Sequence, residues 1–246
     1  GSGSTAMLQK ALANDVAKLA AFQAQYSLML NDRGGVVDDL IVYRVAADHY
    51  YAVVNAATKH KDLDLLSVMA KDYEVTLQLR KDYAMIAVAG PEALKCCQPL
   101  LPTGFNDLPA FSFVIGANGM IAKTGYTGEP GFEMIVAVDQ VEAIWQQLMD
   151  LGVRPCGLGA RDSLRLEAGF NLYGQDMDET TTPWESQLAW VVDLKSDRDF
   201  IGRQALEKKR QQSEGLVLKG VVLKERGVLR RGHEVDLADG RWGKIT

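Results

Sequence analysis

The run Val36 to Val45 constrains the fold most: β-branched and apolar side chains crowd it, the turn residues Asn31-Asp32-Arg33-Gly34-Gly35 stand directly before it, and a strand-like Tyr26 to Leu30 precedes those. Two such runs around a turn predict an antiparallel hairpin. A third strand is expected at Tyr50 to Val54. Ahead of the hairpin, Leu8, Ala11, Leu12, Val16 and Leu19 fall near a helical period and predict an amphipathic helix ending near Ala20. Behind it, Thr58 can cap a helix through Ala70, and Tyr73 to Arg80 alternates Val75, Leu77 and Leu79 with polar neighbours as a strand would.

The same mixture continues along the chain. Ala84 to Ala89 reads as a buried strand closed by Gly90-Pro91, and Phe111 to Ile115 with Met120 to Lys123 brackets Gly116-Ala117-Asn118-Gly119 as a second hairpin. Phe132 to Val138 is a strand, Asp139 caps a helix to Met149 that stops at Gly152, and further helices are expected over Ala160 to Ala168 and Gly202 to Gln212. Short strands are expected at Leu216 to Leu223, His233 to Leu237 and Trp242 to Thr246. With hairpins throughout, no βαβ unit and no fixed repeat, the fold class is α+β, antiparallel sheets with helices.

Composition narrows the function. Lys+Arg 27 against Asp+Glu 32 gives a net charge of −5, so no nucleic-acid partner is expected. Cys96, Cys97 and Cys156 form neither a disulfide framework nor a CxxC site, which suits a reducing, cytoplasmic location. His49, His60 and His233 lie far apart with no ligand spacing, so no metal site is expected. No apolar run approaches the roughly 20 residues that span a bilayer, so no membrane partner is expected. Residues 1–7, GSGSTAM, read as a flexible cloning leader.

Three stretches could carry chemistry. In Thr124-Gly125-Tyr126-Thr127-Gly128-Glu129-Pro130-Gly131-Phe132-Glu133, glycines allow positive φ or close backbone approach, Tyr126 offers an aromatic face, and Glu133 opens a strand that would hold its carboxylate toward the paired N–H edge of a ring. A tight hairpin with polar surface groups reads equally well. In Val37-Asp38-Asp39-Leu40-Ile41-Val42-Tyr43 two acids lie inside an apolar strand, so alternation turns one of them inward; Asp39 on the side of Ile41 and Tyr43 must be paired or used, unless the strand bulges. Asn55, after the third strand, could bond to Asp39, to a ligand, or merely turn the chain. Gly157-Leu158-Gly159-Ala160-Arg161-Asp162 lacks the third glycine of a dinucleotide fingerprint. Arg161 in the first turn opposes the helix dipole, which points either to an external anion or to a salt bridge with Asp162 or Glu167. Asp176, Asp178 and Glu179 match calcium spacing only in part and read as a solvated loop.

GYTGEPGFE, GLGARDSLRLEAGFNLYGQDMDE with the TTP that follows, GGVVDDLIVY and VVNAAT together resemble the T-protein family of the glycine cleavage system, the aminomethyltransferases, from Leu8 to Thr246. The resemblance implies a cloverleaf-like fold around a tetrahydrofolate pocket. It implies transfer of an aminomethyl carbon from the lipoyl arm of the carrier H-protein to tetrahydrofolate, with release of ammonia. Asp39 matches the family's key acid, acting by charge or as a proton carrier at a folate nitrogen. Glu133 matches the residue that pairs with the pterin amide edge, Tyr126 packs with the folate rings, and Arg161 belongs to the anchoring set. Tyr26, Tyr43 and Asn55 match lining residues.

Family members carry segments resembling FHGWxMPxxY and GMFDVSHM before this region and SGxFSPTLG after it. On that comparison the chain is expected to be an internal fragment with a first α+β domain at 8–85, a second at 86–215, and an incomplete C-terminal β-barrel from 216–246. Such a fragment is expected to bind folate weakly, to turn over slowly or not at all, and to self-associate through exposed edges. Pro130 stands where the family usually has a charged or small residue. Alternative readings are a folate-dependent demethylase relative and a folate-binding assembly protein of the same fold. The latter branch carries a KGCY-like motif where this chain has Lys123-Thr124-Gly125-Tyr126.

Overall fold

The structure, a computed structural model, describes residues 1–116, 119–211 and 215–246. Ala117 and Asn118 of the second expected hairpin turn, and Gln212 at the end of an expected helix, lie outside the described residues.

Strands β1 (Gln23–Leu30), β2 (Val36–Ala46) and β3 (His49–Val54) form an antiparallel sheet in that order. Alternation along β2 sends Asp38, Leu40 and Val42 to one face and Asp39, Ile41 and Tyr43 to the other. The first face is covered by helices α1 (Ser4–Ala11) and α2 (Lys59–Ala70), through a core of Met7, Leu8, Leu12, Leu40, Val42 and Leu66. On the second face, Ala24 and Tyr43 pack with Phe113, Met120 and Ala122. Burial on both faces explains why β2 reads as a nearly continuous apolar run, and why its two acids stand out.

The second sheet, in the order β4 (Tyr83–Ala89), β7 (Gly131–Ala137), β6 (Gly119–Ala122), β5 (Phe113–Gly116), is also antiparallel. Helices α3 (Ala93–Cys96) and α4 (Val141–Asp150) follow in its unit; Ile144 and Leu148 of α4 pack with Ile86, Phe105, Phe132 and Val136. The two sheets are tied at one edge: the Ala24 N–H donates to the Phe111 carbonyl at 2.7 Å and the Phe113 N–H to the Phe22 carbonyl at 3.0 Å. After α5 (Leu158–Glu167), an irregular segment and α6 (Arg203–Arg210) return to the first sheet, where Met177, Leu188, Phe200 and Leu206 pack on Leu28, Leu30 and Val36. The approach is close at Gly35, where an added Cβ would stand 1.9 Å from the Glu179 carbonyl oxygen.

Several expectations change. The expected flexible leader is ordered: Ser4 to Met7 form the first turn of α1, and Met7 is 2% exposed. This helix ends at Ala11 because Leu12 leaves it to bridge Met29, and Val16–Lys18 is a separate 3₁₀ turn capped by the Asp15 side chain on the Ala17 N–H. Tyr73 to Arg80 keeps the alternation of burial, yet no described strand pairs with it, so it is extended chain and not sheet. Leu216 to Leu223 likewise forms no strand. The closing residues make a two-stranded hairpin, β8 (Glu234–Asp236) with β9 (Trp242–Lys244), and no closed barrel exists among the described residues. No helix of the described residues is long and apolar enough to cross a membrane.

Candidate functional site

The register of β1 and β2 pairs Leu28 with Asp39 and Tyr26 with Ile41, which places Tyr26 diagonally across from Asp39. The Tyr26 hydroxyl donates to Asp39 Oδ2 at 2.8 Å. Asn55, just past β3, donates from Nδ2 to Asp39 Oδ1 at 2.7 Å and to Asp38 Oδ1 at 2.9 Å. These donors favour the ionised carboxylate, but burial outweighs them, and the Asp39 carboxyl titrates above the ordinary aspartate range. Burial, reinforced by the adjacent Asp39 charge, holds Tyr26 protonated far above the usual tyrosine value, so it remains a donor. The acid turned fully inward is Asp38, at 0% exposure; Asp39 is half-buried.

Glu133 enters on β7, opposite Ala87 of β4 and Ala122 of β6. The Thr124 hydroxyl, two residues past β6, donates to Glu133 Oε2 at 2.5 Å and stands 3.2 Å from the Tyr43 hydroxyl. With its single proton directed to the carboxylate, Thr124 accepts from Tyr43. Burial, with the Glu133 charge second, holds the Tyr43 phenol well above its ordinary value. Of the three motif glycines, Gly128 has φ +75° and lets Ala168 pack against its backbone, while a Cβ on Gly131 would stand 2.1 Å from the Val88 carbonyl oxygen.

Glu133, Tyr126 and Arg161 line one cleft of about 220 Å³, walled by Val88, Trp145, Leu148 and Leu164. The Arg161 guanidinium lies 4.2 Å from the centroid of the Tyr126 ring, and Phe170 stacks on the same tyrosine at 5.8 Å and 19°. The Tyr126 hydroxyl donates to the Asn171 carbonyl, and burial pushes its pKa up to about 12. Arg161 is exposed and makes no ion pair among the described residues. The structural bridge foreseen for it belongs to Arg165, which donates to Asp162 Oδ1 at 2.9 Å, to Asp176 Oδ2 at 2.5 Å and to the Phe170 carbonyl at 3.1 Å.

Three of the seven candidates therefore share the cleft. Asp39, Tyr26 and Asn55 form a hydrogen-bonded cluster outside its lining, and Tyr43 reaches Glu133 through Thr124. Between the two groups only charge is felt: the Asp39 charge raises the Tyr126 phenol, and Tyr126 contributes to the raised Tyr26. Sequence reasoning did not single out Thr124, Asp62 or Trp190; the last stacks on Tyr26 at 6.0 Å. Asp62 had a visible signal, because it shares a helical face with Leu66 and Met69. Trp190 had none, lying in a short 3₁₀ turn, Ala189–Val191, in a segment without apolar periodicity. The acids read as a solvated loop are individually engaged: Asp176 with Arg165, Asp178 with Thr180, and Glu179 with Lys61.

The family described as the GCVT N-terminal domain matches residues 1–196 of the chain. An aminomethyltransferase of Francisella tularensis subsp. tularensis (strain FSC 198) is 45% identical over 251 residues, covering 100% of this chain and 70% of that protein. One from Francisella philomiragia subsp. philomiragia is 45% identical over 253 residues with the same coverage. The match thus includes residues 1–7. Among solved structures, that of glycine cleavage system aminomethyltransferase T from Bartonella henselae aligns with a TM-score of 0.79 at 33% identity. That alignment covers 86% of this chain, which spans 59% of the Bartonella chain. With the family matched over most of its length and the fold shared with that structure, the chain belongs to the GCVT N-terminal domain family.

Proposed function

We propose that this chain carries the folate site of an aminomethyltransferase that moves an aminomethyl carbon from the lipoyl arm of an H-protein to tetrahydrofolate, with release of ammonia. The observation that carries the reading is the cleft itself, which the carboxylate of Glu133 and the Tyr126–Arg161 pair line together; the raised carboxyl of Asp39 lies outside that lining. The fit is chemical and spatial. A carboxylate accepts two parallel N–H bonds from an amide-and-amine ring edge. The volume of about 220 Å³ falls below the about 300 Å³ typical of the smallest drug-sized pockets, which suits a flat bicyclic ring and leaves the rest of a folate outside.

Each residue then has a task. Glu133, held by Thr124, orients the ring. Arg161, which makes no ion pair among the described residues, is available to an anionic portion of the ligand, while Phe170 stacks on the Tyr126 ring. Asp39, fixed by Tyr26 and Asn55, offers either a proton acceptor or a negative charge for positive charge developing at the reacting nitrogen. Tetrahydrofolate supplies the nucleophilic nitrogen that takes up the carbon.

The test is ammonia release from aminomethyl-loaded H-protein. The expected result is slow release that requires both this chain and tetrahydrofolate; release unaffected by tetrahydrofolate would refute the reading.

A further inference from the structure

Behind Asp39 lies a second carboxyl pair that the transfer chemistry does not use. Asp38 and Asp62 are 0% and 1% exposed. Asp38 is well supplied, with the Thr58 hydroxyl on Oδ2 at 2.6 Å and the Asn55 amide on Oδ1 at 2.9 Å. Thr58, the residue expected to cap α2 with its side chain, makes no such cap bond and turns to Asp38 instead. Asp62 lies one helical turn beyond Thr58, its N–H donating to the Thr58 carbonyl at 3.0 Å, which brings it beside the carboxylate that the Thr58 hydroxyl grips; neither Asp62 side-chain oxygen has a hydrogen-bond partner among the described residues.

The other ionisable groups around the pair leave this unchanged. Lys61 of α2 directs its ammonium to the Val37 carbonyl at 2.7 Å, the Tyr173 hydroxyl at 2.9 Å and Glu179 at 3.1 Å, and acts on Asp62 only through space. Tyr173 senses the charge of Asp38, and Asp39 with Tyr26 lies beyond Asn55. No described cation touches the Asp62 oxygens. Two neighbouring carboxylates in a dry site do not both ionise, and an orphaned buried acid beside a carboxylate is satisfied when it is itself the donor.

We propose that Asp62 is a positioning residue: its carboxyl keeps a proton, donates it to Asp38 and limits the pair to one negative charge, so that Asn55 is held where it can grip Asp39. The value of that grip for transfer rests on the function proposed above. Loss of the proton would place a second negative charge behind Asn55 and disturb Asp39 from the far side of the sheet. Burial first, and the neighbouring Asp38 second, raise the Asp62 carboxyl to about 7. Because the folded form binds this proton more tightly than the unfolded chain, the stability it confers is present in full below the ordinary aspartate value and is lost as pH rises through about 7.

The test is a carboxyl-carbon NMR titration of the whole chain, wild type, Asp62→Asn and Asp62→Ala. In the wild type one aspartate should titrate near neutrality, and the Asp39 signal should bend at the same pH. Asp62→Asn, which keeps a donor but has no proton to lose, should abolish both features and leave Asp39 otherwise in place; Asp62→Ala should shift Asp39 at every pH. Ionisation of all wild-type aspartates by about pH 5, or an Asp39 signal blind to the near-neutral titration, would overturn the proposal. Should Asp62→Ala not fold, the wild type and Asp62→Asn decide. Intact tetrahydrofolate binding without a near-neutral aspartate would remove this inference alone, and the reverse pattern would remove the folate reading alone.

Discussion

Replacing Arg165 by leucine is expected to lower the unfolding free energy by about 3–5 kcal/mol, the range for removing one partner of a buried ion pair. The Arg165 side chain is 4% exposed and that of Asp176 is 8%. Leucine fills part of the space but leaves the Asp176 carboxylate buried with, among the described residues, the Leu172 N–H and the Thr246 hydroxyl as its remaining donors, and strips the Phe170 carbonyl of its guanidinium donor. Phe170 and Asn171 hold the Tyr126 ring, so the same change should loosen the aromatic wall of the cleft. Arg161→Ala provides the contrast: an exposed guanidinium that makes no ion pair among the described residues should move stability by under about 0.5 kcal/mol. Urea denaturation compares the two, and a loss below about 1 kcal/mol for Arg165→Leu would show that the pair is not the anchor of this segment.

Asp39→Asn is expected to cut tetrahydrofolate-dependent turnover by about 10²–10⁴-fold, the range for losing a general acid or base, while changing tetrahydrofolate affinity little. Asparagine has the same shape and its carbonyl still accepts from Tyr26, at the cost of the bond from Asn55, whose amide then meets an amide; it carries neither charge nor an exchangeable acid proton. Whether Asp39 takes a proton or stabilises positive charge, the ionised form is the working one. Its carboxyl is raised by burial, so the wild-type rate should fall with acidification at a pH above that of an ordinary aspartate. The Asp39→Asn variant should lack this limb. A rate–pH profile with the same acid limb in both proteins would assign that limb, and the role, to another group.

Much of this was legible in the chain, for reasons that differ from residue to residue. The hairpin around Gly34 and Gly35 was visible because β2 is buried on both faces and concentrates β-branched residues. Asp39 was visible because a charge inside such a run demands a partner. Which acid was fully buried was not visible, since alternation assigns two faces without saying which is drier, and both proved covered. The start of α1 was misread because Gly1 to Thr5 carry no apolar periodicity; the Gly1 ammonium bonds to the Asp48 carbonyl, and Gly1 and Gly3 pack tightly against Glu74, a long-range match invisible to local pattern. Glu133 and Tyr126 share one short motif, whereas the covering of Tyr126 by Arg161 and Phe170 depends on long-range placement of α5 and the residues after it, which local pattern does not carry.

Calorimetric titration of tetrahydrofolate into the wild-type chain, Glu133→Gln and Tyr126→Ala probes whether strand, loop and helix converge on one ring. Wild-type chain should bind, and each substitution should weaken binding by at least about tenfold, or about 1.4 kcal/mol. Binding of equal strength in all three proteins would mean that the cleft between Glu133 and Arg161 is not where the folate sits.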